Sequence, residues 1–107
     1  MRVILATAAT LMMATAAVAL TPAEQRGLQF AITNCSICHS VFPYGLSPLP
    51  LAPRFRDLHL IRDVDALAEP LHTGTVSDHP SMPHFLLDID QINDLISYIH
   101  SLSPQEP

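Results

Sequence analysis

Ten prolines, every one of them beyond Leu20, decide what this 107-residue chain can become. Proline lacks a backbone donor and restricts the residue before it, so it stops helices and has no place inside a sheet. Pro43, Pro48, Pro50 and Pro53 make 41–55 a structured loop. Leu46, Leu49, Leu51 and Phe55 are too apolar for a free linker, so that loop is expected to cover something. Gly74, Pro80 and Pro83 make 72–85 a second loop. Helices fit between these loops. Thr21-Pro22-Ala23-Glu24 reads as a start: Thr21 is the N-cap, Pro22 sits where its missing N–H costs nothing, and Glu24 completes a capping box. Leu28, Ala31 and Ile32 then give an apolar face, with Phe30 beside it. Gly27 costs about 1 kcal/mol inside this helix, which suggests that another backbone passes close by. Residues 63–71 fit a short helix with Val64, Leu67 and Leu71 inward and Pro70 near its end. Asp88 and Gln91 form another capping box, ahead of a stripe of Ile89, Ile92, Leu95, Ile96, Ile99 and Leu102 that Pro104 ends. No strand pattern survives, so the fold class is all-α, with about three helices and two long loops. Loops of that length fit a compact domain only if they wrap a ligand.

The N-terminus has a different character. Arg2 precedes a nearly unbroken run of small and apolar residues, Val3 to Ala19, which closes on the small-x-small pattern Ala17-Val18-Ala19. The run falls short of the ~20 residues that span a bilayer. Residues 1–19 are therefore expected to be a cleaved secretory signal peptide, with 20–107 as the mature domain in the bacterial periplasm and no permanent membrane anchor. All ten carboxylates lie after Ala19, opposed by Arg26, Arg54, Arg56 and Arg62 alone; ten negative and four positive charges leave −6. Such a surface excludes nucleic acid as a partner and favours a positively charged docking face.

A domain this small needs a staple or a cofactor. Cys35 and Cys38 are too close in sequence to close a large loop, so a disulfide between them would restrain little. Cys35-Ser36-Ile37-Cys38-His39 is instead the attachment signature of c-type haem. Two thiols one helical turn apart can each add across a porphyrin vinyl group, and the adjacent imidazole is carried to the iron. C-x-x-C has two rival readings. A thioredoxin-like dithiol wants a βαβ context, and a structural zinc wants a further ligand pair, which only a stretched set of His39 with His59, His72, His79 or His84 offers. Iron that only passes electrons needs a sixth ligand. Met82, in Pro80-Ser81-Met82-Pro83, is the first candidate, a soft thioether on a stiffened loop; His79 and His84 are alternatives. His59, His72 and His100 read as surface or hydrogen-bonded residues.

The attachment motif, the Met82-Pro83 loop and the capped C-terminal helix, in that order, make residues 21–103 resemble the class I bacterial cytochromes c. The resemblance implies a small cytochrome c fold around one covalently bound haem c, with the first and last helices crossing near perpendicular at Gly27, Phe30 and Tyr98. It also implies that a proline after the motif fixes the proximal histidine. Pro53, in Ala52-Pro53-Arg54-Phe55, is the first choice and Pro50 the second, with the carbonyl just before such a proline region accepting the His39 Nδ1 proton. Cys35, Cys38, His39, Met82 and Pro53 thus form the cofactor site, with His39 and Met82 on the metal. The sequence departs from the mitochondrial-type members, which dock through a ring of lysines; this chain has none. His72, Asp78 and His79 before Met82 are also extra to the pattern, as surface chemistry or as a tuning element.

The expected function is electron transfer to redox partner proteins rather than enzymatic catalysis, through an exposed haem edge flanked by Val41, Phe42 or Phe85. Two alternatives stand beside a free monomeric shuttle: the cytochrome subunit of a periplasmic dehydrogenase, and a haem enzyme or sensor with an open iron position.

Overall fold

The computed structural model describes residues 2–13, 19–75 and 81–104. Ala17 and Val18 of the small-x-small pattern, and Asp78, His79 and Pro80 ahead of Met82, lie outside these residues. The described part is all-α, with no strand among the described residues. Its helices are α1 (Pro22–Asn34), α2 (Leu58–Ile61), α3 (Ala68–Thr73) and α4 (Ile89–Leu102), with 3-10 turns at Phe55–Asp57 and Asp65–Leu67 leading into α2 and α3. Residues 2–13 form no helix, and their apolar side chains are exposed. Among the described residues no helix is long and apolar enough to cross a membrane.

The two long helices begin where their caps allow. The Thr21 hydroxyl accepts from the Glu24 amide at 3.2 Å, and Pro22 opens α1. The Gln25 side chain, rather than Glu24, reaches back, donating to the Leu20 carbonyl at 3.0 Å. At α4 both halves of the capping box form: Gln91 N–H donates to Asp88 Oδ1 at 2.8 Å, and Asp88 N–H to Gln91 Oε1 at 3.1 Å.

α1 and α4 pack on each other, and Gly27 sets how closely. A Cβ there would run into the Asp94 carbonyl and come within 2.7 Å of Tyr98 Cβ. The costly mid-helix glycine is therefore the price of bringing two backbones together. Ala31, one turn on, is fully buried, and Ile92, Leu95, Tyr98 and Ile99 close the core from the other side. Burial of each large aliphatic among them stabilises by roughly 1.5–3 kcal/mol. At the rim, Arg26 grips Asp94 with Nε–Oδ2 at 2.9 Å and Nη2–Oδ1 at 3.0 Å.

Two members of the expected stripes face outward. Ile32 lies five positions after Gly27, about 140° round the helix from the contact, and is exposed. Ile89, at the first position of α4, precedes the buried stretch that starts at Ile92 and is also exposed.

The middle of the chain holds more helix than expected. Phe55 and Leu58 turn into the core from the short Phe55–Ile61 stretch, which begins two residues after Pro53. Val64 and Leu71 are buried, and Leu67 packs against them. Pro70 lies in the first turn of α3, not near its end, because backbone N–H groups there need no helical partner. α3 runs two residues past Leu71 and stops at Gly74, whose φ of +75° is the left-handed conformation that terminates helices.

Candidate functional site

Helix α1 ends by delivering the cysteines. Cys35 N–H donates to the Ala31 carbonyl at 2.8 Å as the helix's C-cap. The chain then makes one further turn: Cys38 N–H and His39 N–H both donate to the Cys35 carbonyl, at 3.2 and 2.9 Å. That turn stacks the two cysteines one above the other and sets His39 directly after them. Both thiols are free and half-buried. Burial, with a smaller contribution from Cys38, pushes the Cys35 thiol up to about 11. A reactive dithiol needs the opposite, a thiol held below its ordinary range so that thiolate is available near neutral pH. The environment of Cys35 therefore disfavours a redox dithiol.

His39 is oriented by the loop that follows it. Its Nδ1 lies 2.6 Å from the carbonyl oxygen of Pro53, the acceptor being Pro53 itself rather than the residue before it. A donor at Nδ1 fixes the tautomer and leaves Nε2 with its lone pair free. Nε2 has no hydrogen-bond partner among the described residues. The Phe55 ring packs beside the imidazole, centroids 5.3 Å apart and tilted by 52°.

The loop from Ser40 to Phe55 is held by the polypeptide. Leu49 N–H donates to the Cys38 carbonyl at 3.1 Å and Phe55 N–H to the Ser40 carbonyl at 2.9 Å. Arg56 gathers the near part of the loop, donating to Ser40 Oγ, the Phe42 carbonyl and the Gly45 carbonyl at 3.3, 3.4 and 2.7 Å. A concavity of about 210 Å³ beside His39 is lined by Ser36, Phe42, Tyr44, Leu46 and Pro48 among others.

This loop's leucines do not enter the polypeptide core. Leu46 and Leu51 are 81% and 86% exposed and Leu49 is also exposed, whereas Phe55 at the loop's end is buried among protein atoms. Val41, expected at an exposed edge, is fully buried, while Phe42 and Phe85 are half-buried. The exposed large apolar side chains within and just after the motif are instead Ile37, Tyr44 and Leu46.

Hydrogen bonds thus bring Cys35, Cys38, His39 and Pro53 together. Met82 is half-buried on a separate segment, 81–88, which is tied to α3. His84 has its Nδ1 engaged by the Gly74 carbonyl at 2.6 Å. Among the described residues no group of three or more His, Cys, Asp or Glu side chains converges as a metal site, so His59, His72 and His84 do not complete a zinc set with the cysteines. Arg56 and Phe55 are site residues that sequence reading passed over. Arg56 acts on backbone carbonyls, which leave no trace in the sequence, whereas Phe55 reads in sequence only as the apolar end of the 41–55 loop.

The donor set fits a c-type haem: two free thiols one turn apart, an adjacent imidazole with Nδ1 occupied and Nε2 free, and apolar loop side chains turned outward. No family model, curated protein or solved structure matches the chain.

Proposed function

We propose that this chain is a periplasmic electron carrier of the class I cytochrome c plan, holding one covalent haem c. The observation that carries the reading is the 2.6 Å contact between His39 Nδ1 and the Pro53 carbonyl inside a C-x-x-C-H segment. Cys35 and Cys38 would tether the group, and His39 Nε2 and the Met82 thioether would hold its metal. Bound there, the haem supplies reversible one-electron oxidation and reduction at iron.

The chain's own residues supply the rest. The Pro53 carbonyl holds the Nδ1 proton, keeping the imidazole oriented and raising its basicity at Nε2. Arg56 fixes the backbone from Ser40 to Gly45, so the loop beside His39 has little freedom to rearrange. The outward leucines at 46 and 51 are suited to shielding a large apolar ligand from water. Residues 20–107, with ten carboxylates against four arginines and no lysine, favour partners that present positive charge.

Periplasmic expression with a haem-attachment system tests the proposal. The purified protein should carry one haem that stays with the polypeptide through acid–acetone extraction, and a haem-free folded product would overturn it. Ferric protein without a thioether-to-iron band in the near infrared would point either to a histidine in place of Met82 or to an open-site enzyme or sensor.

A further inference from the structure

The segment that carries Met82 is fastened to α3 by two histidines working from opposite sides. From α3, His72 lies with Nδ1 2.9 Å from the Leu87 carbonyl. From the segment, His84 lies with Nδ1 2.6 Å from the Gly74 carbonyl at the end of α3. Between them, Leu87 N–H donates to the Leu71 carbonyl at 3.0 Å, and both of those side chains are buried. Gly74 allows the approach: a Cβ there would stand 3.2 Å from Leu86 Cδ2 and 3.6 Å from the Phe85 carbonyl. The histidine side chains are themselves exposed, so they add nothing to the apolar core; what they contribute is the position of the backbone on either side of Phe85.

We infer that His72 and His84 are positioning residues that hold the Met82 segment against α3 and so keep the Met82 thioether on the metal. The inference rests on the haem reading above. Each imidazole acts as a donor at Nδ1 to a carbonyl, so the neutral Nδ1–H form suffices. Any outside ligand that displaces Met82 must let the segment move, and movement strains or breaks these fasteners. Their worth therefore appears in how tightly such a ligand binds.

The test uses the haem-loaded ferric protein and cyanide. His72→Ala and His84→Ala remove the donors at exposed positions; His72→Asn and His84→Asn keep an amide nitrogen near the place of Nδ1. Each alanine variant should bind cyanide roughly three- to tenfold more tightly, the range one hydrogen bond supports. Each should also have a weaker near-infrared thioether band, and the asparagine variants should return toward the unsubstituted protein. Arg26→Ala, which loosens the α1–α4 rim instead, should leave cyanide affinity unchanged. Unaltered affinity in both alanine variants, or asparagine variants that behave like alanine, overturns the positioning role while leaving the haem reading standing. An unsubstituted protein without covalent haem overturns both.

Discussion

The Tyr98 hydroxyl donates to the carbonyl of Val41, tying the middle of α4 to the backbone two residues beyond His39. Both residues are buried, so neither group has water as an alternative partner. Tyr98→Phe keeps the ring but orphans the Val41 carbonyl. It should lower unfolding free energy by about 1–3 kcal/mol, read from the midpoint of chemical denaturation with an unchanged slope.

The same burial makes Tyr98 a reporter at alkaline pH. Desolvation, with a lesser effect of Tyr44, pushes its phenol from 10.0 up to about 12. Between those values the unfolded chain has given up a proton that the folded chain retains. Stability from this group is complete below pH 10 and is lost as pH climbs toward 12, by no more than about 1.4 kcal/mol per pH unit. Denaturation series at pH 9, 10 and 11 should show that fall, and Tyr98→Phe should flatten it.

At Gly27 the expected change is larger. An alanine methyl would meet the main chain of Asp94, which cannot swing aside as a flexible side chain would. Gly27→Ala should cost at least about 3 kcal/mol despite the better helix propensity of alanine, with a matching drop in thermal midpoint. Equal stability would mean that α1 and α4 can part without loss.

Met82→Ala addresses the thioether on which the proposed carrier reading depends. The variant should keep its covalent haem, since Cys35, Cys38 and His39 are untouched, but lose the near-infrared thioether band. A band that persists would assign the sixth ligand elsewhere.

Cys38→Ala separates tethering from folding. With one thiol left, covalent attachment should become inefficient, and most of the pigment should be extractable by acid–acetone. Undiminished attachment would leave the two-thiol role without support.

How far the sequence speaks depends on what kind of group does the work. The Asp88–Gln91 box, the Thr21 cap and the close approach at Gly27 are legible because each needs a particular side chain, or the lack of one. The helix at 58–61 is hidden because four residues carry no helical period, and Pro53 just ahead suggests loop. Ile32 and Ile89 match the pattern yet stand outside the core, since a stripe does not say where the partner helix ends. The hold on His39 is half legible: a proline loop marks the neighbourhood, but the acceptor is a carbonyl. The links of Arg56 to Phe42 and Gly45, of His84 to Gly74 and of His72 to Leu87 also end on carbonyls. Every residue has one, and only the fold selects among them.

Because α1 rests on α4, the first helix to be made has no surface to bury against until nearly the whole chain exists. Gly27 and Ala31 must wait for Tyr98 and Ile99, about seventy positions later, so the domain closes last of all between its two ends. Until α4 exists, Cys35 and Cys38 at the end of α1 therefore sit on a helix without its packing partner. A chain cut short before Ile92 should emerge with its thiols in place and no means of closing over them.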